Sequence, residues 1–247
     1  MRAARAVLLL TCLWSGPAPA QAAPLGEPCR RVEAAGQSYT VCTLDLRRHR
    51  LRLFWRDAAG EAYGGFGPLM RSPAGQNLVF AMNGGMYHVD RSPVGLYVED
   101  GREWKRANTA NGPGNFHMKP NGVFWVAGDR AGVAETGRYL KLKPRADHAT
   151  QSGPMLVIDG KLHPRISEEG TSRKVRNGVG VRDPQTVVFA ISDGPVTFGE
   201  FAHLFRDQLG CRNALFLDGS ISALHAPNLG RTDSWRPMGP IIGAFAR

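Results

Sequence analysis

The apolar residues of this chain come in short runs, and turn formers close each run. The clearest are "LRLFW" (51–55), "LVFAM" (78–82), "VGLYV" (94–98), "VFWV" (123–126), "MLVI" (155–158), "TVVFAI" (186–191) and "ALFL" (214–217). Brief runs rich in β-branched and aromatic residues, bounded by Gly, Pro, Asn and Asp, read as β-strands. Leu51, Leu53 and Trp55 alternate onto one face. Several other runs are apolar throughout, as expected of central strands covered on both sides. The 30 glycines and 17 prolines fit a chain that turns often.

One helix interrupts this pattern. Thr197 and Glu200 form a capping box ahead of "FAHLFRDQL", and Phe198, Phe201, Ala202, Phe205 and Leu209 recur at helical spacing. Gly210 is a natural stop. Strand 186–191, helix 198–209 and strand 214–217 therefore read as a β-α-β crossover between parallel strands. The expected class is α+β: a β-rich single domain with a mixed central sheet, hairpins and that crossover near the C-terminus.

The first residues read as a secretory signal rather than fold. "MRAARAVLLLTCLWSGPAPAQAA" has two arginines, a short apolar run and small residues, with cleavage expected after Ala20 or Ala23. A lipoprotein anchor at Cys12 is the alternative, although Thr11 stands where Ala or Gly is preferred. The segments are then signal 1–23, N-terminal strands 24–74 and a core 75–247, with 24–247 one continuous domain. The protein is expected to be exported, periplasmic or secreted, without stable membrane insertion. An oxidising compartment favours disulfides. Cys29 and Cys42 flank a segment that can fold back near Ala35-Gly36, so they are expected to pair and leave Cys211 free and buried.

The formal charge is +10, and loss of Arg2 and Arg5 with the signal leaves +8. Such a charge suits anionic surroundings or an anionic substrate. The longest basic run, "RRHRLR" (47–52), is broken by apolar residues, so nucleic acid is not an expected partner. No G-x-S-x-G elbow, H-E-x-x-H, C-x-x-C, Walker loop or dinucleotide fingerprint occurs. No metal or cofactor is expected. His88 and His117 are isolated and fit structural hydrogen bonding.

Four Asp-Gly pairs occur, at 100, 159, 193 and 218. The first two separate short strands and suit type I′ hairpins. Asp193 and Asp218 instead follow the two strands of the crossover, which places both at one sheet edge. Ser220 and Ser222 share parity with Asp218, so an extended chain would carry all three on one face. In "FAMNGGMYHV", Gly84 and Gly85 after Asn83 would let backbone N–H groups approach a ligand. In "SRKVRNGVGV", Arg176 could grip phosphate in a bidentate fork.

Four segments in this order resemble the phosphodiester glycosidase family. They are Asn83-Gly84-Gly85-Met86-Tyr87, Gln151-Ser152-Gly153-Pro154 before "MLVIDG", Arg176-Asn177-Gly178-Val179-Gly180, and Asp218-Gly219-Ser220-Ile221-Ser222. Asn177 stands where the family shows threonine, and a triple-glycine turn is shortened to Gly219-Ser220-Ile221. The resemblance spans roughly residues 75–245 and implies hydrolysis of a sugar-1-phosphodiester, N-acetylglucosamine-like, by a bacterial exported branch. It implies Asp218 as the principal carboxylate and Asp193 as a second one. Arg176, Asn83 and the Gly84 and Gly85 amides would hold phosphate. Gln151, Ser152, Asn177, Gly219, Ser220 and Ser222 would orient sugar or phosphate. Two alternatives stay open: a phosphodiesterase or phosphatase cutting P–O, and a non-catalytic envelope glycan-binding protein.

Overall fold

The computed structural model describes residues 27–167, 169–218, 220–234 and 236–247. The expected signal segment, with Cys12, lies outside them, as does Gly219. The strands, in chain order, are β1 (Cys29–Ala34), β2 (Gln37–Asp45), β3 (His49–Phe54), β4 (Phe80–Asn83), β5 (Tyr97–Glu99), β6 (Arg102–Lys105), β7 (Gly122–Ala127), β8 (Arg130–Glu135) and β9 (His148–Ser152). They continue with β10 (Met155–Ile158), β11 (Lys161–Leu162), β12 (Asn177–Asp183), β13 (Thr186–Ser192), β14 (Asn213–Asp218), β15 (Leu224–Ala226), β16 (Arg231–Thr232) and β17 (Ile241–Ala246). Three short helices accompany them: α1 (Phe66–Arg71), α2 (Thr136–Leu142) and α3 (Phe198–His203).

The strands form three sheets, ordered β1-β2-β13-β12-β14-β10-β11, β16-β15-β4-β17-β3 and β6-β5-β9-β7-β8. Every neighbouring pair among the described strands is antiparallel, so the expected mixed sheet is corrected. The crossover also differs in one respect. β13 and β14 do run parallel, but β12 lies between them and pairs with both. β12 and β13 form a hairpin through a tight turn, which claims the place beside β13. The strand after α3 must therefore pair on the far side of β12.

Each sheet sends one phenylalanine to a shared core. Phe80 of β4 and Phe124 of β7 both pack on Phe189 of β13, with ring centroids 4.7 and 5.8 Å away. All three are fully buried. Rings tilted or edge-on at such distances add to the area they bury. This contact holds the three sheets at one junction, and the site described below lies at their shared edge.

The local turn chemistry matches expectation. Asp100-Gly101 and Asp159-Gly160 both take positive φ and close the hairpins β5–β6 and β10–β11. Ala35-Gly36 does the same between β1 and β2. The capping box is present, with Glu200 N–H donating to Thr197 Oγ1 at 3.1 Å and Thr197 N–H to Glu200 Oε2 at 2.7 Å. Helix α3 runs on into one wider turn over Leu204–Gln208 and ends before Gly210 at φ 64°. The run "VGLYV" is strand only from Tyr97, because Gly95 is pressed against the Gln151 side chain and Phe116.

Cys29 and Cys42 face each other across β1 and β2 and are bridged, while Cys211 is free and buried. Burial pushes the Cys211 thiol up to about 12, so it is an unreactive packing group. No helix among the described residues is long and apolar enough to cross a membrane. The Cys29–Cys42 bridge closes a loop for which chain-entropy arguments give roughly 2–4 kcal/mol. A double Cys29→Ser, Cys42→Ser variant should lose about that much stability in non-reducing urea titrations. An unchanged midpoint would refute it.

Candidate active site

Asn177 opens β12 and Asp218 closes β14, and the two are register partners. Asn83 ends β4 in the second sheet. Asn177 and Asn83 are almost wholly buried, at 0% and 1% exposure, so their amides must find partners inside the protein. Asn177 Nδ2 donates to Asn83 Oδ1 at 2.9 Å and to its carbonyl at 3.2 Å. Asn177 Oδ1 accepts from Asp218 N–H at 3.0 Å. Asn83 Oδ1 accepts from Ala223 N–H at 2.9 Å, and Asn83 Nδ2 donates to the Ile221 carbonyl at 2.7 Å. Two side-chain amides thus hold both ends of the segment between Asp218 and Ala223.

That segment is not extended. Ser220 N–H donates to Asp218 Oδ1 at 2.8 Å, a local turn made by the carboxylate itself. Ser222 Oγ points inward to the Asp218 carbonyl at 2.9 Å and is buried, while Ser220 is exposed. The expected shared face of Asp218, Ser220 and Ser222 is therefore corrected: the chain turns after Asp218, and only Ser220 lies beside it in the cleft.

The cleft has a volume of about 540 Å3. The Met86–Val89 segment forms one wall, Ser220 and Ile221 another, and Ser172, Lys174, Arg176 and Arg236 a third. Asp218 is the one carboxylate among its described lining residues, and it is 6% exposed. Tyr87 is close enough for the Asp218 charge to matter. Burial first, and that charge second, push its phenol up to about 12, so it stays a neutral donor, here to the Pro237 carbonyl at 3.2 Å. Arg176 is 1% exposed, and burial brings its guanidinium down to about 10, still charged at neutral pH. Nε donates to the Val196 carbonyl at 3.0 Å and Nη2 to the Ser172 carbonyl at 2.9 Å. Among the described residues, Lys174, Arg176 and Arg236 make no ion pair with any carboxylate. Three cations around one carboxylate make a cleft suited to an anion.

Other expected site residues lie elsewhere. Asp193 sits at the same sheet edge but lines a different cavity, where Ser38, Thr40 and Arg231 hold its carboxylate at 2.8–3.0 Å. Gly84 N–H donates to the Pro240 carbonyl at 2.7 Å and Gly85 N–H to Thr150 Oγ1 at 3.3 Å. A Cβ on Gly85 would strike the Gln151 carbonyl, so this glycine serves close packing of two sheets. Gln151 accepts from Leu96 and Asn108 N–H and donates to the Asn108 carbonyl and Thr136. Ser152 Oγ donates to the Leu217 carbonyl at 2.6 Å, one residue before Asp218. Both are buried supports of the cleft rather than part of its lining. Glu200 is occupied by its cap and by Arg173.

Sequence reasoning did not single out Lys174, His88 or Arg236 as cleft residues. Lys174 stands two before Arg176, so strand parity could have found it. Arg236 carries no local signal.

A family model for phosphodiester glycosidase matches residues 76–243. The chain belongs to the phosphodiester glycosidase family. The uncharacterized protein YigE of Escherichia coli (strain K12) is 37% identical over 222 residues, which are 90% of this chain and 84% of YigE. Two solved structures share the fold. A hypothetical protein from Synechocystis superposes with a TM-score of 0.57 at 16% identity, covering 89% of this chain and 61% of that one. The zebrafish N-acetylglucosamine-1-phosphodiester alpha-N-acetylglucosaminidase catalytic domain, auto-inhibited by its pro-peptide, gives 0.56 at 15% identity, covering 89% and 82%.

Removing the Asn177 amide leaves Asp218 N–H and the Asn83 side chain short of partners. Each unpaired buried group costs about 1–3 kcal/mol. Asn177→Ala is expected to destabilise the protein by about 3 kcal/mol in urea titrations. A loss below about 0.5 kcal/mol would mean the amide pair carries no weight.

Proposed function

We propose that the protein is an exported hydrolase that cleaves the glycosidic bond of a sugar-1-phosphodiester, releasing the sugar and a phosphomonoester. The observation that carries this reading is the pairing, in one cleft, of a buried carboxylate with three cations that make no ion pair with a carboxylate among the described residues. Family membership supports the reaction class, and the zebrafish relative's name suggests an N-acetylglucosamine-like sugar. The Cys29–Cys42 bridge and the signal-like first residues support export.

In this reading Arg176, Lys174 and Arg236 bind the phosphate oxygens. Asp218 faces the anomeric carbon. The C1–O bond breaks with its electron pair passing to the phosphate oxygen. Water forms the new bond to C1, and its proton passes to Asp218 and then to solvent. Phosphate is a good leaving group, so a second carboxylate acting as general acid is dispensable, which suits a cleft with one carboxylate among its described lining residues. The cations stabilise charge that grows on the departing phosphate. Tyr87 and Ser220 supply hydrogen bonds at the sugar side.

Hydrolysis in 18O-labelled water is expected to put the label in the sugar. Label in phosphate would instead establish P–O cleavage. Asp218→Asn, which keeps the turn acceptor for Ser220 N–H, should lower kcat by about a thousandfold or more while leaving the melting temperature near that of the parent. Near-normal turnover in that variant would remove Asp218 from the mechanism. Lys174→Ala and Arg236→Ala should each raise KM for the diester about tenfold, the scale of a charge-assisted contact to phosphate. Unchanged KM in both would take phosphate binding away from these two residues.

A further inference from the structure

The cleft does not end at Arg176. A second cavity of about 280 Å3 adjoins it and shares Asn115 and Ser172 with it. Arg176 and Phe198 stand back to back at the boundary, with the guanidinium carbon 3.6 Å from the ring centre. Arg176 lines the first cavity and Phe198 the second. Met118, Ile166 and Phe198 give the second cavity an apolar wall, and each is only partly buried, so a ligand can reach it. Arg165 is exposed at its rim, and its guanidinium makes no ion pair among the described residues. The rim is fixed locally, since Arg165 N–H donates to His163 Nδ1 at 3.1 Å and Ile166 N–H to the His163 carbonyl at 3.0 Å.

We infer that this second cavity is the leaving-group subsite of the same active site. Its ligand class is a phosphate ester whose organic part is a ring or short apolar unit that ends in a second anionic group. The inference rests on the reading of the cleft given above. A phosphate held at Arg176 has Asp218 on one side and the Phe198 wall on the other. If the anomeric carbon faces Asp218, the remaining ester oxygen points across Arg176 into the second cavity. A ring or chain there covers Phe198, Ile166 and Met118, and its far end meets Arg165. An anionic end group gives that arginine a partner it does not have among the described residues. A methyl ester would leave both unmet.

Three N-acetylglucosamine 1-phosphodiesters test this: methyl, benzyl and 4-carboxybenzyl. The CH2 group keeps the phosphate a similar leaving group in all three. With the full chain, kcat/KM is expected to rise about tenfold from methyl to benzyl, the effect of covering an apolar wall. It should rise several-fold again to 4-carboxybenzyl. Arg165→Glu should erase or reverse the second increment and leave the methyl substrate within about twofold. Ile166→Ser should reduce the first. Calorimetric titration with the three corresponding phosphomonoesters reads the same subsite without turnover. If no diester is hydrolysed but the phosphomonoesters show this ranking and this Arg165 dependence, the subsite stands and the hydrolytic reading falls. If all three diesters turn over equally, or Arg165→Glu weakens all of them alike, the subsite falls and the hydrolytic reading stands. Absence of both turnover and phosphomonoester binding overturns both.

Discussion

The buried amide pair Asn83–Asn177 is the contact on which the candidate cleft depends. It joins the last residue of one sheet's strand to the first residue of another's, and its remaining hydrogen bonds go to Asp218, Ile221, Ser222 and Ala223. Neither amide can turn to solvent, so breaking one bond strands several others. The catalytic candidate is therefore positioned through its own backbone N–H, while its carboxylate accepts from Ser220 N–H and lines the cleft. The third sheet joins the same arrangement through Ser152 and the Leu217 carbonyl. All three sheets thus bear on the two residues at the end of β14.

Charge is distributed in the opposite sense from packing. Most acidic groups near this edge are spent: Asp193 on Arg231, Glu200 on Arg173 and its cap. Among the described residues, Lys174, Arg176 and Arg236 have no such carboxylate partner. A buried guanidinium without a carboxylate is costly unless something compensates it. Here two carbonyls and the Phe198 face offset part of that cost, and an anion in the cleft would offset the rest. The same stack of Arg176 on Phe198 stands between the cavity with the carboxylate and the neighbouring one with an apolar wall.

Much of the local structure was legible in the sequence. The Asp-Gly hairpins, the capping box, the Cys29–Cys42 pair and the strands in the seven apolar runs follow from rules that act over a few residues. Asp218 as a strand end, rather than a hairpin turn, also follows from the helix and strand around it. Three expectations depended on distant neighbours and came out differently. β13 and β14 are parallel but separated, because β12 had already claimed the space. Gly84 and Gly85 look like a ligand-binding nest, yet their N–H groups meet Pro240 and Thr150. Ser222 shares parity with Asp218 only if the chain stays extended, and the Asp218 carboxylate itself turns it.

By itself the sequence determined the type of the seven apolar runs and of the capped helix, the Asp-Gly turns, the disulfide partners and the presence of a carboxylate at a strand end, because these depend on neighbours within about a dozen residues. Only the tertiary structure decided which polar residues face the cleft and which are internal supports. Asn83, Gln151, Ser152 and Asn177 are buried polar groups, and burial obliges each to spend its hydrogen bonds on whatever the packing brings near. Lys174, Arg176 and Arg236 face the cleft and make no ion pair with a carboxylate among the described residues. Which residues fell into each class was settled by how three sheets meet around Phe80, Phe124 and Phe189, a contact among residues far apart in the chain.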